Sequence, residues 1–219
     1  TKNNFDSIFK INLPKVNYDF SVSHYVRTMW TMARYDYRYI VKNPVFLILT
    51  LVGVLFIILM ASTIGSIFGT STYPVTWKML MIPGTTFTFF LLILTFLFTG
   101  LLVHRGSITR MGALLDTTPV PNWALMGSKI IAVLLMQLTL LAVVIATCMS
   151  FQMYHRYYNF EIGQYVMHLM VYGMLSNLVW LFVALFIHTL FKNYLAGFFV
   201  LLTLFIGLPF LYMVGVEQE

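Results

Sequence analysis

Five long apolar runs constrain the fold of this chain more than any other feature. A helix needs about 20 residues to cross roughly 30 Å of hydrocarbon, and each run reaches that length. Because the bilayer core offers no water, the backbone there must bond within itself, which favours helices. We therefore predict five transmembrane helices, over residues 44–66, 79–103, 123–151, 165–191 and 194–214.

The composition indicates the same class. Hydrophobic residues make up 60% of the chain and charged residues 9%, whereas a soluble domain carries about 25% charged residues. No alternating strand pattern separates the runs, so we predict an all-α integral membrane protein. The single cysteine, Cys148, lies inside an apolar run, which excludes a disulfide framework and a cysteine metal cluster.

The basic residues predict an orientation. They concentrate before the first run, between the second and third, and between the fourth and fifth, while Lys78 and Arg156 lie on the other side. By the positive-inside rule the N-terminus is cytoplasmic, and we expect a multi-pass protein of the inner (cytoplasmic) membrane. Confinement of these charges to short segments argues against a nucleic-acid surface. The odd number of runs and the first residue, Thr1, lead us to expect a longer polypeptide with a sixth span.

The segment before the first run predicts an amphipathic helix over residues 23–42. Basic residues recur at spacings of three and four, and aromatic and aliphatic residues occupy the opposite face. Such a helix lies in the membrane interface with its arginines toward anionic headgroups; the alternative is a basic flank without defined structure. Its defining residues are Arg27, Trp30, Arg34, Arg38 and Lys42. We interpret residues 1–22 as a cytoplasmic linker and residues 43–219 as the transmembrane domain.

A polar segment, HRGSITRMGALLDTTPVPNW at residues 104–123, separates the second and third runs. Residues 107–115 can form a short helix, and Pro119 and Pro121 force the chain out of that helix before the third run. A cytoplasmic helix would thereby be held on a stiff turn against the third run. This geometry would allow a movement of a cytoplasmic partner to be transmitted to the third run.

Within and after this segment, Arg105-Gly106, the stretch Leu114 to Pro121, Trp123 and Gly127-Ser128-Lys129 resemble the coupling-helix region of type 2 ABC exporter permeases. The glutamates usual in that family are missing from His104-Arg105-Gly106. The resemblance implies a coupling helix near residues 105–118 that docks on an ATPase subunit; the alternative is an ordinary basic loop. The implied ATPase-coupling residues are Arg105, Ile108, Arg110, Met111, Leu114, Leu115, Asp116 and Pro119.

The resemblance also implies a function. The chain would be the permease component of an ABC transporter and would couple ATP hydrolysis to export of a substrate across the inner membrane. It contains no G-x-x-x-x-G-K-[ST] phosphate loop, so ATP and Mg²⁺ would bind a separate subunit, and we expect no cofactor bound directly. The expected partners are an ABC ATPase subunit, a second permease half or an identical copy, and the lipid bilayer, with no nucleic acid.

Two sets of residues are candidates for packing inside the membrane. Ala61, Gly65 and Gly69 form a small-xxx-small series that would let two helices approach closely, either within the chain or between two permease halves. Gln137 and Asn177 fall near the middles of the third and fourth runs. We expect them to hydrogen-bond between helices, with a place on a substrate path as the alternative.

An enzymatic function is not expected from this sequence. It has no H-E-x-x-H pair, no G-x-S-x-G elbow and no pair of carboxylates within one run. The chain also looks similar to the second permease half of long polypeptides that join ABC permease spans to an extracytoplasmic zinc aminopeptidase domain, in which it would be a membrane anchor. A third interpretation is a structural subunit of a larger membrane assembly.

Overall fold

Helices occupy every predicted apolar run. The structure, a computed structural model, describes residues 21–64, 66–67, 70–71, 73–110, 117 and 120–213. The helices are α1 (Val22–Val41), α2 (Pro44–Ile64), α3 (Thr76–Ile82), α4 (Thr88–Val103), α5 (Arg105–Ile108), α6 (Asn122–Tyr154), α7 (Ile162–Tyr165), α8 (Met174–Leu190) and α9 (Tyr194–Met213). The all-α membrane class is thus confirmed.

Two details differ from a simple row of α-helices. Strands β1 (Ser66–Ile67) and β2 (Thr70–Ser71) form a two-residue antiparallel pair after α2. Two π-helical segments, Pro83–Phe87 and Val166–Gly173, join α3 to α4 and α7 to α8, and they contact each other. The first begins at a proline, which has no N–H to donate to an α-helical ladder.

Three helices in the described part of the chain are long and apolar enough to cross a membrane: Pro44–Thr63, Asn122–Tyr154 and Ile162–Leu190. The second predicted span corresponds to α4, which is preceded by α3 and a π-helical segment, and the fifth corresponds to α9. The backbone of α9 continues through Pro209 to Met213, so this proline does not end the helix.

The beginning of α2 follows from local chemistry. Asn43 Oδ1 accepts a hydrogen bond from the Val45 N–H at 2.9 Å, and Pro44 occupies the first helical position. Proline is favoured there because its missing N–H has no partner in the first turn and its φ is already helical. The chain therefore turns sharply from α1 into α2 at residues 42–43.

Helix α4 is the centre of the bundle because it belongs to both apolar clusters. Leu91, Leu94 and Phe98 pack in the larger cluster with side chains of α2 and α6. Leu92 and Phe96 pack in the second cluster with α8 and α9. A displacement of α4 would therefore disturb the packing of both halves of the bundle.

Helix α1 lies parallel to the first half of α6. The rings of Tyr25 and Trp123 lie 6.3 Å apart, and the hydroxyl of Tyr37 is 2.7 Å from Thr139 Oγ1. Between these contacts, a Cβ on Gly127 would come within 2.6 Å of Met29 Sδ. Gly127 thus permits the two helices to approach closely.

A second close approach surrounds His188 on α8. Its ring is buried, and Nε2 lies 2.9 Å from the Phe96 carbonyl oxygen on α4. A Cβ on Gly100 of α4 or on Gly197 of α9 would come within 2.5 Å of this ring. The two glycines therefore allow three helices to close around one imidazole.

We predict that Gly197→Ala destabilises the bundle by about 1–3 kcal/mol, because the added methyl overpacks a ring that its other neighbours hold in place. Gly207→Ala in the same helix is the control, since a Cβ there meets nothing within 4 Å and alanine favours a helix. The measurement is detergent-induced unfolding of both variants. Equal stability of the two would show that His188 does not restrict position 197.

Candidate coupling junction at the end of helix α4

The chain leaving α4 contacts three other helices within four residues. The Leu102 carbonyl accepts a hydrogen bond from Lys129 Nζ of α6 at 2.8 Å. His104 reaches the end of α8, and Arg105 reaches α1. We name Asp36, Leu102, His104, Arg105 and Lys129 the coupling junction.

Arg105 forms the electrostatic centre of this junction. Its guanidinium makes a charge-assisted hydrogen bond and an ion pair with Asp36 on α1. It also lies over the ring of Tyr39, 4.6 Å from the ring centroid, which is cation–π geometry. Asp36 exposes only 13% of its side chain and Arg105 37%. The first residue of α5 is thus attached to α1, which lies far away in the sequence.

The charges of the junction are costly to bury. Burial raises the pKa of Asp36, against the opposite effects of Lys129 and Arg105. Desolvation opposes the attraction in such a pair, but removal of one partner leaves the other charge buried without compensation, so breaking the pair is costly.

His104 connects α4 to the end of α8. Its Nδ1 lies 3.1 Å from the Gly100 carbonyl oxygen and its Nε2 lies 2.8 Å from that of Phe191. The ring therefore connects the last turn of α4 to the residue that follows α8.

The structure describes three of the eight predicted ATPase-coupling residues. The Arg105 side chain is paired with Asp36 of the same chain, whereas the Ile108 side chain is 52% exposed. Arg110 is exposed and has φ 56°, a left-handed conformation that ends the short helix. The other five lie outside the described residues: Met111, Leu114, Leu115, Asp116 and Pro119.

The structure places the defining residues of the predicted interfacial helix on the exposed side of α1. They are Arg27, Trp30, Arg34, Arg38 and Lys42. The opposite side does not face lipid alone, since Ala33 and Ile40 are fully buried in the bundle. The N-cap of α1 is Ser21, whose Oγ accepts from the His24 N–H at 3.3 Å.

The predicted packing residues Gln137 and Asn177 make hydrogen bonds of two different kinds. Gln137 is buried and its Nε2 donates to Thr95 Oγ1 at 3.0 Å, which joins α6 to α4. Asn177 instead donates to the Gly173 carbonyl of its own chain segment at 2.8 Å, where the π-helical segment ends. The hydrogen bond of Asn177 is thus to a carbonyl one turn earlier, and a bond from this side chain to another helix stays a prediction.

One member of the small-residue series, Ala61, lies in the described part of the chain. Ala61 is buried within the larger apolar cluster of its own chain, and α2 ends at Ile64 before β1 begins. Gly65 and Gly69 lie outside the described residues. The contact of Ala61 is thus internal to the chain.

The sequence did not lead us to include Asp36 among the candidate site residues. A signal was present, since it is the only acid among the basic residues of α1 and lies three and four residues from the buried Ala33 and Ile40. An acid on the buried side of a basic helix requires a cation as partner. The sequence did not indicate which cation that is.

We predict that Asp36→Asn destabilises the protein by about 1–2 kcal/mol, because Arg105 then lacks its counter-ion in a half-buried site. The double variant Asp36→Leu/Arg105→Met should unfold within about 1 kcal/mol of the wild type, since apolar residues replace both charges. Arg34→Gln on the exposed side of α1 is the control. Detergent-induced unfolding measures all variants, and a double variant that is destabilised more than Asp36→Asn would contradict the pairing.

Comparison with known protein families agrees with this architecture. The family described as ABC-2 family transporter protein matches residues 40–209, which is more than half of the chain and includes the junction from Leu102 to Lys129. No curated protein and no solved structure gave a match. Permeases of this family are typically non-catalytic membrane components that associate with an ABC ATPase subunit. The chain therefore belongs to the ABC-2 transporter family and is a multi-pass permease component of an ABC transporter.

Proposed function

We propose that this permease receives mechanical work from a separate ABC ATPase subunit at α5 and exports a substrate across the inner membrane. ATP hydrolysis takes place on that subunit, where ATP and Mg²⁺ bind. The single observation that carries the proposal is the coupling junction, which connects the exposed turn of α5 to α1, α6 and α8. A displacement of α5 would thereby reach helices on both sides of α4.

In the proposed orientation, the N-terminus lies in the cytoplasm. The end of the bundle that contains the junction also gathers most of the described basic residues, which supports this orientation by the positive-inside rule. They are Arg27, Arg34, Arg38, Lys42, Arg105, Arg110, Lys129 and Lys192. Lys78 and Arg156 lie at the opposite end.

The substrate would pass between this permease and a second permease half, either an identical copy or a related chain. The described apolar helices expose long rows of Leu, Val and Phe side chains, as on α2 and α8. These rows are compatible with a lipid or another amphipathic substrate and disfavour a path for small ions.

We predict that Ile108→Asp removes an ATPase subunit that co-purifies with the wild-type protein from its native membranes. A charge buried at the docking surface should weaken the complex at least about tenfold, as truncating an interface hot spot does. Ile162→Asp, at the opposite end and with a nearly equal exposed fraction of 54%, is the matched control. The measurement is vanadate-sensitive ATPase activity that co-elutes with the permease after mild solubilisation.

Full co-elution of the ATPase with Ile108→Asp would place the docking surface elsewhere. The same purification separates the other interpretations. A co-eluting aminopeptidase activity without an ATPase would favour a membrane anchor for a peptidase domain. Co-elution of other membrane proteins without an ATPase would favour a structural subunit.

We predict opposite labelling of two exposed positions by a membrane-impermeant maleimide. In intact spheroplasts, Tyr158→Cys should react, whereas Ser107→Cys should react only after lysis, because the proposed orientation places position 107 in the cytoplasm. The native Cys148 is fully buried and should stay unlabelled in both cases. Reaction of Ser107→Cys in intact spheroplasts would reverse the orientation.

A further inference from the structure

A groove of about 530 Å³ lies where α1 turns into α2. It is lined by Tyr35, Arg38, Tyr39, Lys42, Asn43 and Pro44. Tyr35, Arg38, Tyr39 and Lys42 stand at positions i, i+3, i+4 and i+7, so they share one face at the end of α1 and its C-cap. Two cations and two phenol groups thus face one cavity, and its lining contains no carboxylate from the described residues.

The two cations of this groove have no acidic partner among the described residues. Across the described ranges, the structure pairs Asp36 with Arg105 and gives Arg38 and Lys42 no acidic partner. Two uncompensated cations one turn apart repel each other, and a shared anion removes this repulsion. Arginine and tyrosine also supply the directed hydrogen bonds that a phosphate group accepts.

Exposed apolar side chains next to the groove favour a lipid over a soluble anion as its ligand. Directly after Pro44, which lines the groove, the first turns of α2 expose Val45, Leu47, Ile48 and Leu51, with exposed fractions from 43% to 62%. These side chains give the start of α2 an exposed apolar surface, called here the apolar track, within two turns of the groove. A molecule with a phosphate at one end and an acyl chain at the other matches both parts.

We propose that the groove at the α1–α2 turn binds the phosphate of an anionic membrane lipid whose acyl chain lies along α2. This goes beyond a general attraction of the basic helix to an anionic surface, because it assigns one saturable site to Arg38 and Lys42. The site is independent of the ATPase subunit. It adjoins the coupling junction, since the ring of Tyr39 both lines the groove and lies under Arg105.

The test is a titration of the purified full chain with phosphatidylglycerol, followed by native mass spectrometry. The wild type should bind one phosphatidylglycerol molecule with clear preference over phosphatidylcholine. Arg38→Gln/Lys42→Gln should weaken this binding at least about tenfold, since each basic residue near a lipid headgroup contributes about fivefold. Arg38→Lys/Lys42→Arg should retain the binding.

The matched control is Arg27→Gln/Arg34→Gln, which removes the same charge from exposed positions of the same helix. It should bind phosphatidylglycerol within about twofold of the wild type, because neither residue lines the groove. All four residues are exposed, so every variant should elute as a folded protein in size-exclusion chromatography. Equal weakening in both double variants would show a general surface attraction and would overturn the proposal.

Inorganic phosphate distinguishes a lipid site from a site for free anions. As a competitor, it should leave phosphatidylglycerol binding almost unchanged, because it cannot occupy the apolar track on α2. Displacement of the lipid by inorganic phosphate, or equal binding of phosphatidylcholine, would overturn the assignment to an anionic lipid.

Discussion

Charge that is buried against an apolar helical bundle needs a partner, and this requirement fixes the end of α4. Asp36 and Arg105 form such a pair although 69 residues of sequence separate them, and Lys129 donates to the Leu102 carbonyl near the end of α4. Because α5 begins two residues after α4 ends, holding Arg105 against α1 also fixes the direction in which the chain leaves the bundle. Loss of either partner would leave the other charge uncompensated at the edge of the bundle.

The C-terminal end of α4 is important because α4 lies in the middle of the bundle. Its residues pack on α2 and α6 on one side and on α8 and α9 on the other. His104 extends the second contact to the end of α8. Helix α6 has 33 residues, about 50 Å at 1.5 Å per residue, so it exceeds the hydrocarbon thickness. Its first half packs along α1, from the contact of Trp123 with Tyr25 to that of Thr139 with Tyr37.

Much of the fold could be predicted because apolar periodicity is a local signal. The five apolar runs are helical, and α1 at Val22–Val41 lies within one residue of the predicted range 23–42 at each end. The resemblance carried by Arg105 and the residues after it indicated the family that the comparison shows. The roles of Met111, Leu114 and Leu115 stay predictions.

Long-range pairing could not be predicted in the same way. Nothing in the sequence near Asp36 identifies Arg105 as its partner, since the contact depends on how α1 lies on α6. The local bond of Asn177 to Gly173 depends on a π-helical segment, and such segments have no strong sequence signal. The groove beside Tyr39 also requires the turn between α1 and α2 to be seen in three dimensions.

The two π-helical segments have a consequence for the mechanics of the bundle. They contact each other at the opposite end of α4 from the coupling junction, and π-bulges are among the places where helices kink. Resistance to bending is therefore unevenly distributed along the bundle axis. One end is held by an ion pair and an imidazole contact, while two neighbouring helices contain π-helical turns near the other, where bending is expected to concentrate.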